Sequence, residues 1–394
     1  NDKNNDYDSE SPFFVCDLGE IYRLFINWKL KLPRIQPHYA IKCNNDLTVI
    51  KFLSILGANF DCASKNEIKI ILNNNINPNR IIYANTIKNN SFIQYANNNQ
   101  VDLMTFDNID ELYKIKKNHR NSKILLRIKT DDEFAQCRLS SKFGCDLDLK
   151  TISSLVLKCK ELNLNLAGLA FHIGSGTNDV NSFYNSIKNC REIFELAWGY
   201  GFSKHNMNIL DVGGGFSKDT FDDSCELLNY SLDKYFPDSL GVKFIAEPGR
   251  YFVATAFTLV ANVIGKRGNH QNSHHEKTML YINDGVYGNM NCILYDHQNP
   301  FAKVATNNGN FVYFDEENLS GSQNNNKSAG KYNVSIWGPT CDGLDCIDKD
   351  ATLNYPVQVE DWLYFNDLGA YTLSATTGFN GFERNTKVIY VCSE

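Results

Sequence analysis

From residue 38 to residue 253, short apolar runs alternate with polar turns and with stretches whose apolar residues recur at helical spacing. The runs at 38–42, 60–63, 81–84, 103–106, 124–128, 168–172, 209–212 and 243–247 predict strands. Between them, 66–72 and 108–117 carry the helical pattern. Eight such units over about 220 residues match a (β/α)8 barrel in number and length. A doubly wound sheet is the alternative, but the order of units shows no switch point. Beyond residue 251 the rhythm changes, and 257–264, 279–283, 334–337, 362–365 and 388–392 read as strands with few helical stretches between them. The pattern predicts an α/β barrel over 17–256 and an all-β domain over 257–394 that residues 1–16 join.

Composition narrows the function class. The 394 residues are 43% hydrophobic and 21% charged, which leaves ample material for two cores. No uncharged apolar run reaches the roughly 18 residues of a membrane helix, so no membrane association is expected. Lys and Arg total 39 against 45 acids, a net charge of −6 that argues against nucleic acid as a partner. Twelve cysteines occur without CxxC pairs or close even spacing, which points to a reduced, cytoplasmic chain. The start Asn1-Asp2-Lys3 has neither initiator Met nor apolar signal core and reads as part of a longer chain. Asn-rich runs read as solvated loops, and 267–277 and 306–331 as flexible hairpin tips. No metal site is expected.

Chemistry is concentrated where predicted barrel strands end. Lys42, in Tyr39-Ala40-Ile41-Lys42-Cys43-Asn44, lies where barrel active sites form, and desolvation there frees an amine for attack on a carbonyl. Its bland reading is a surface lysine closing a strand. His172-Ile173-Gly174-Ser175-Gly176 offers an imidazole to stack on a flat ring and a hydroxyl for a phosphate; a satisfied core histidine is the alternative. Gly213-Gly214-Gly215 exposes backbone N–H groups that suit a phosphate, or simply makes a tight turn needing positive φ. Glu247-Pro248-Gly249-Arg250 places an acid and an Arg across a rigid turn, able to hold a pyridinium N–H and a phosphate, or else each other. In the second domain, Gly338-Pro339-Thr340-Cys341-Asp342 frames a thiol beside an acid, which suits proton donation better than nucleophilic attack. One ordinary cysteine among twelve is the bland reading there.

Taken in order, these segments together with Asp61-Cys62-Ala63-Ser64 and Cys137-Arg138-Leu139-Ser140 make the chain resemble eukaryotic ornithine decarboxylase from about residue 12 to residue 392. That family has the alanine-racemase-like fold, a pyridoxal-phosphate barrel plus a β-domain. The Asn-rich inserts are similar to those of malarial parasites, where such a domain is the C-terminal half of a bifunctional polyamine-synthesis enzyme, preceded by an N-terminal partner domain.

The resemblance implies the following roles. Lys42 holds pyridoxal 5'-phosphate covalently, Glu247 faces the ring nitrogen, and His172 stacks on the ring. Ser175, Gly213, Gly214, Gly215, Pro248, Gly249, Arg250 and Tyr371 cradle the phosphate end, and Asp61 and Arg138 support the lysine and ring. Tyr295, Asp296 and Asp342 take the distal amine of L-ornithine, and Cys341 returns a proton to the α-carbon. Cys341 and Asp342 reach across from a second copy in a homodimer with shared active sites, which Tyr287 and Phe379 also line. The product is putrescine, with CO2 released in the first step of polyamine synthesis. Two departures are visible. Phe216-Ser217-Lys218-Asp219 stands where animal members often carry Pro-Gly, and since the sequence stops at Glu394, control by the degradation-linked vertebrate tail is not expected.

Alternatives within the fold are a lysine or diaminopimelate decarboxylase and a catalytically inactive regulator. Relatives acting on diaminopimelate carry Glu after the loop cysteine, where this chain has Asp342. Inactive regulators lose cofactor residues, whereas Lys42, Glu247, Arg250, Cys341 and Asp342 are all present.

Overall fold

The computed structural model describes residues 10–132, 135, 138–175, 181–268, 277–315, 317 and 331–394. Cys137, Gly176 and most of the two Asn-rich inserts lie outside the described residues. The described chain forms two units, one spanning Tyr22–Phe252, the other comprising residues up to Ile21 and those from Val253 onward.

In chain order, β1 is Phe13–Asp17 and α1 is Leu18–Lys31. The barrel strands follow as β2 (Ile35–Ala40), β3 (Asn59–Cys62), β4 (Ile81–Tyr83), β5 (Leu103–Phe106), β6 (Lys123–Arg127), β7 (Asn165–Ala170), β8 (Ile209–Asp211) and β9 (Lys243–Ala246). All neighbours are parallel, and β9 pairs with β2 to close the barrel. The connecting helices are α2 (Leu47–Leu56), α3 (Lys65–Asn73), α4 (Asn90–Asn98), α5 (Ile109–Asn118), α6 (Leu149–Glu161), α7 (Asn181–Gly199) and α8 (Phe221–Tyr235). All eight expected barrel strands form, most of them within one or two residues of their anticipated ends. Ile82, Ala84, Leu125, Ala167, Ala170 and Ile245 fill the interior, which is therefore a packed core with its opening at the strand ends.

Local chemistry explains the helix starts. Ser64 caps α3 through its hydroxyl, which accepts the Glu67 N–H (3.3 Å), while Glu67 Oε2 reaches back to accept the Ala63 N–H (2.5 Å). Asn108 and Asp148 cap α5 and α6 in the same manner through the N–H groups of Glu111 and Thr151.

The other unit opens after a short helix, α9 (Arg250–Val253), that follows the last barrel strand. Its strands are β10 (Phe257–Arg267), β11 (Thr278–Ile282), β12 (Lys303–Val304), β13 (Thr306–Asn307), β14 (Asn310–Phe311), β15 (Tyr332–Trp337), β16 (Cys346–Leu353), β17 (Trp362–Phe365) and β18 (Lys387–Val391), with α10 (Cys292–Tyr295) between β11 and β12. The main sheet runs β12-β17-β10-β11-β15-β16, with β1 paired to β10 and β18 paired to β1. The expected β-rich second domain is present, and β1 joins its sheet from the N-terminal side. β16, with Asp348, Lys349 and Asp350 on its outer stretch, carries no apolar run and was not anticipated.

Candidate active site

The barrel register sets the site residues at one rim. Asp61 sits opposite Ala40 on β3, Asp211 opposite Ala170 at the end of β8, and Arg127 is the last residue of β6. Glu247 follows β9 directly, whereas Lys42 and His172 each lie two residues past their strands, in the turns that leave β2 and β7. Lys42 is therefore not the strand residue the apolar pattern implied. Its strand stops at Ala40, the turn is closed by the Cys43 N–H donating to Ala40 O (3.0 Å), and the Ala40 N–H donates to Pro248 O (3.1 Å). The turns after β2 and β9 are thus laced together, which fixes Lys42 relative to Glu247.

Lys42 Nζ donates to Asp61 Oδ2 at 2.9 Å, and Asp61 is buried. The other carboxylate oxygen, Oδ1, is buried with no hydrogen-bond partner among the described residues. Glu247 and Asp211 are buried too. Burial, reinforced by the neighbouring Asp211 and Asp61 carboxyls, pushes the Glu247 carboxyl well above its usual range, against the pull of Lys42 and Arg127. Burial likewise pushes Asp211 up to about 7, opposed by the Gly213 N–H that donates to its Oδ1 (2.8 Å). Desolvation, aided by the cations of Arg127 and Lys42, holds His172 well below the ordinary imidazole value, so the ring is neutral. Its Nδ1 accepts the Gly174 N–H (3.0 Å), and its carbonyl accepts the Thr130 hydroxyl (2.8 Å).

The glycines are demanded by more than one force. Gly213 and Gly215 have φ of +69° and +100°, the left-handed region expected of a tight turn. Gly214 needs no such backbone, but a Cβ there would lie 2.7 Å from His172 Nε2 and 2.9 Å from Glu247 O. The turn and the close approach thus coexist. α8 does not begin until Phe221, so the triplet does not run directly into a helix. Phe216 instead pins the triplet by packing on Trp28 (centroids 4.9 Å apart) and Phe183 (5.4 Å). Arg250 donates from Nη2 to Ser175 Oγ at 3.4 Å, which brings two of the expected phosphate ligands together.

Arg138 is exposed in the turn-rich segment beyond β6, and Arg127 is an arginine acting on the buried carboxyls and His172. Arg127 and Asp211 were not singled out from the sequence, although each sits at a strand end as Lys42 and Glu247 nearly do.

These side chains fit pyridoxal phosphate. An amine stands beside an unsatisfied carboxylate oxygen, a buried acid is available for a ring N–H, a neutral imidazole offers a face, and Arg250 with Ser175 suits a phosphate.

In the other unit, Cys341 is exposed and Asp342 is half-buried in the loop between β15 and β16. Tyr287 donates its hydroxyl to Asp342 Oδ2 (2.5 Å) and stacks on Phe379 with centroids 4.4 Å apart. The Tyr287 hydroxyl and the Leu344 N–H hold the Asp342 carboxyl below its usual value. Buried Asp345 accepts the Thr340 N–H (2.9 Å) and hydroxyl (2.6 Å) on Oδ2 and the Val286 N–H (2.9 Å) on Oδ1, shaping the loop from beneath. Asp296 is buried just past α10 and its neighbour Tyr295 is exposed. Tyr371 adopts φ +55° in the turn after β17. No group of three or more potential metal ligands occurs among the described residues.

Known proteins resemble this chain in sequence and fold. The family described as pyridoxal-dependent decarboxylase, pyridoxal binding domain, matches residues 18–254. The ornithine decarboxylase of Saccharomyces cerevisiae is 52% identical over 398 residues, spanning 100% of this chain and 84% of that one. Antizyme inhibitor 2 of Xenopus laevis is 41% identical over 390 residues, covering 96% of this chain and 80% of that one. Among solved structures, the agmatine-bound arginine decarboxylase of Paramecium bursaria Chlorella virus superposes with a TM-score of 0.87 at 32% identity, covering 98% and 97% of the two chains. With the barrel, the strand-end cluster and full-length identity all in agreement, the chain belongs to the ornithine decarboxylase family of pyridoxal-dependent decarboxylases.

Proposed function

We propose that the chain removes the α-carboxylate of L-ornithine as CO2 and yields putrescine, using pyridoxal 5'-phosphate, as a cytoplasmic homodimer. The observation that carries the reading is the pairing of Lys42 with Asp61 beside a buried, proton-retaining Glu247 at the barrel rim. Bound there, pyridoxal phosphate supplies a protonated ring that draws off the electron pair left when CO2 departs.

The residues divide the remaining work. Lys42 supplies the amine that carries the cofactor and that the substrate's amine displaces, with Asp61 orienting it. Glu247 keeps the ring nitrogen protonated, and Asp211 and Asp61 keep that region negative. Neutral His172 covers one ring face without competing for the proton. Ser175, Arg250, Tyr371, Pro248, Gly249 and the triplet Gly213 to Gly215 serve the phosphate. Asp296, Asp342 and Tyr295 receive the distal ammonium, because a cation leaving water needs a partner charge, and this selects a diamino acid. Cys341 returns the proton to Cα.

A shared site fits the exposure around Cys341. Leu344, Tyr295 and Phe379, on three separate segments, are 66%, 62% and 42% exposed and leave apolar surface in water. Cys341 and Asp342 then complete the site of the partner subunit. The eleven described cysteines are all free thiols, which supports a reducing compartment. No described helix is long and apolar enough to cross a membrane.

The test is CO2 release from carboxyl-labelled L-ornithine and L-lysine, with and without added pyridoxal phosphate. Cofactor-dependent release favouring ornithine is expected. One methylene separates the substrates and gives about 1–3 kcal/mol of discrimination, so slower lysine turnover is compatible with the reading. Release from neither substrate would sink it in favour of a binding-only relative.

A further inference from the structure

We infer that Asn380 is a positioning residue for Cys341, holding the thiol's backbone while leaving its sulfur unencumbered; this rests on the assignment of Cys341 as proton donor. The Cys341 N–H donates to Asn380 Oδ1 at 2.8 Å. The other anchors of the loop come from its own residues or from the segment after β11: Asp345 beneath Thr340, Leu344 N–H on Asp342, and Tyr287 on Asp342. Two anchors come from far along the chain, Tyr287 from 55 residues before Asp342 and Asn380 from 39 residues after Cys341, and of the two Asn380 is the one that holds Cys341 itself.

That turn is shaped to deliver it. Asn380 has φ +54° and ψ +14°, a left-handed conformation that Asn tolerates better than most residues. Gly381 follows at φ +79°, its N–H donating to Gly378 O (3.1 Å). The turn is fastened to Tyr287 at three points. The Thr377 N–H and hydroxyl both donate to Tyr287 O (3.0 and 2.9 Å), and the Phe379 ring stacks on the Tyr287 ring. One short segment thus governs both neighbours, Asp342 through Tyr287 and Cys341 through Asn380. The acceptor is a neutral amide, whereas a carboxylate at this spot would bring negative charge toward the sulfur and raise its pKa.

Two variants test this in the cofactor-loaded protein. Asn380→Gly keeps the positive φ without strain and removes the acceptor. Asn380→Asp keeps an acceptor and adds charge. With Asn380→Gly, hydrogen exchange at the Cys341 amide is expected to accelerate by about three- to tenfold, the size of one modest hydrogen bond. A larger share of turnovers should also end as 4-aminobutanal instead of putrescine. Both begin with loss of CO2; putrescine forms when Cα gains the proton, while the aldehyde forms when the proton goes elsewhere and hydrolysis leaves the amino group on pyridoxamine phosphate. Asn380→Asp should restore slow exchange and shift the pH midpoint of Cys341 alkylation upward.

Unchanged amide exchange in Asn380→Gly would overturn the inference, and so would faster exchange with an unaltered product ratio, which marks a contact without a positioning role. If the parent protein releases no CO2 from either amino acid, the decarboxylase reading fails on its own. Amide exchange and the alkylation midpoint then decide the question of Asn380.

Discussion

His38 shows how a single buried ring makes the barrel sensitive to acid. It is 4% exposed on β2, with Nδ1 against Gln36 O (3.3 Å) and Nε2 against the Asn59 amide (3.3 Å). Burial lowers its pKa to about 4, against the help of Gln36 O and with the further hindrance of Arg80. The unfolded chain takes up this proton near pH 6.5, whereas the folded chain refuses it until about 4. The stabilisation is therefore complete above 6.5 and lost as pH falls toward 4, in total about 3 kcal/mol. His38→Gln should flatten the fall of the urea midpoint between pH 7 and pH 5 by about one proton's worth; an unchanged slope would mean that the folded barrel accepts the proton. Gly249 gives a second case. A Cβ there would meet Cys43 Cβ at 2.8 Å and push apart the two turns that carry Lys42 and Glu247. Gly249→Ala should weaken pyridoxal-phosphate binding by about tenfold or more in a cofactor titration, on the scale of 1–3 kcal/mol for overpacking. At this scale the sequence showed Lys42 and Glu247 but not Arg127. A lone arginine closing an apolar strand looks like any solvated end, and only the closed barrel turns it toward buried acids.

Between elements, a buried ion pair ties the turn after β4 to α5. Lys88 Nζ lies 2.9 Å from Glu111 Oε1 and donates to the carbonyls of Asn85 (2.9 Å) and Thr105 (2.7 Å); both side chains are almost fully buried. Burial lowers the lysine's pKa to about 8, with Glu111 opposing the fall. Lys88→Met leaves the Glu111 carboxylate buried with Lys114 as its remaining cation, a loss of about 3–5 kcal/mol readable as a lowered Tm. Adding Glu111→Leu should recover most of it, and a double variant as weak as the single one would show that the helix, not the charge, was at stake. Elements of this kind were legible where burial is two-sided. The barrel strands are enclosed on both faces and read as plain apolar runs. β16 is at a sheet edge with alternating exposure and charges facing water, so its sequence resembles a loop.

For the whole molecule, the proposed sharing of sites between two copies makes a prediction about mixtures. Lys42→Ala removes the cofactor's covalent anchor and its characteristic absorbance, while Cys341→Ala keeps the cofactor and misdirects the proton. Neither alone should produce putrescine at the normal rate. Equal amounts of the two, allowed to exchange subunits, should regain about a quarter of normal activity, since half the dimers carry one site free of both changes. No recovery would place Lys42 and Cys341 of each site in the same copy. The two-unit architecture was visible in the change of rhythm past residue 251. The pairing of β1 with β10 and of β18 with β1 was not, because strands so distant in sequence leave no local trace of their partnership.

Asp61, Asp211 and Glu247 also bear on how long the protein lasts. Three buried acids answered by Lys42 and Arg127 form a charge arrangement that a protonated ring nitrogen relieves, while Arg250 answers the phosphate. The cofactor then acts as a structural component whose binding adds stability with the logarithm of its concentration, about 2.7 kcal/mol at a hundredfold excess over Kd. Protein prepared without pyridoxal phosphate should melt several degrees below the loaded form and be cut faster by proteases. In a cell, a shortage of cofactor would then thin the population of molecules as well as idle them, tying the capacity for diamine synthesis to cofactor supply through turnover.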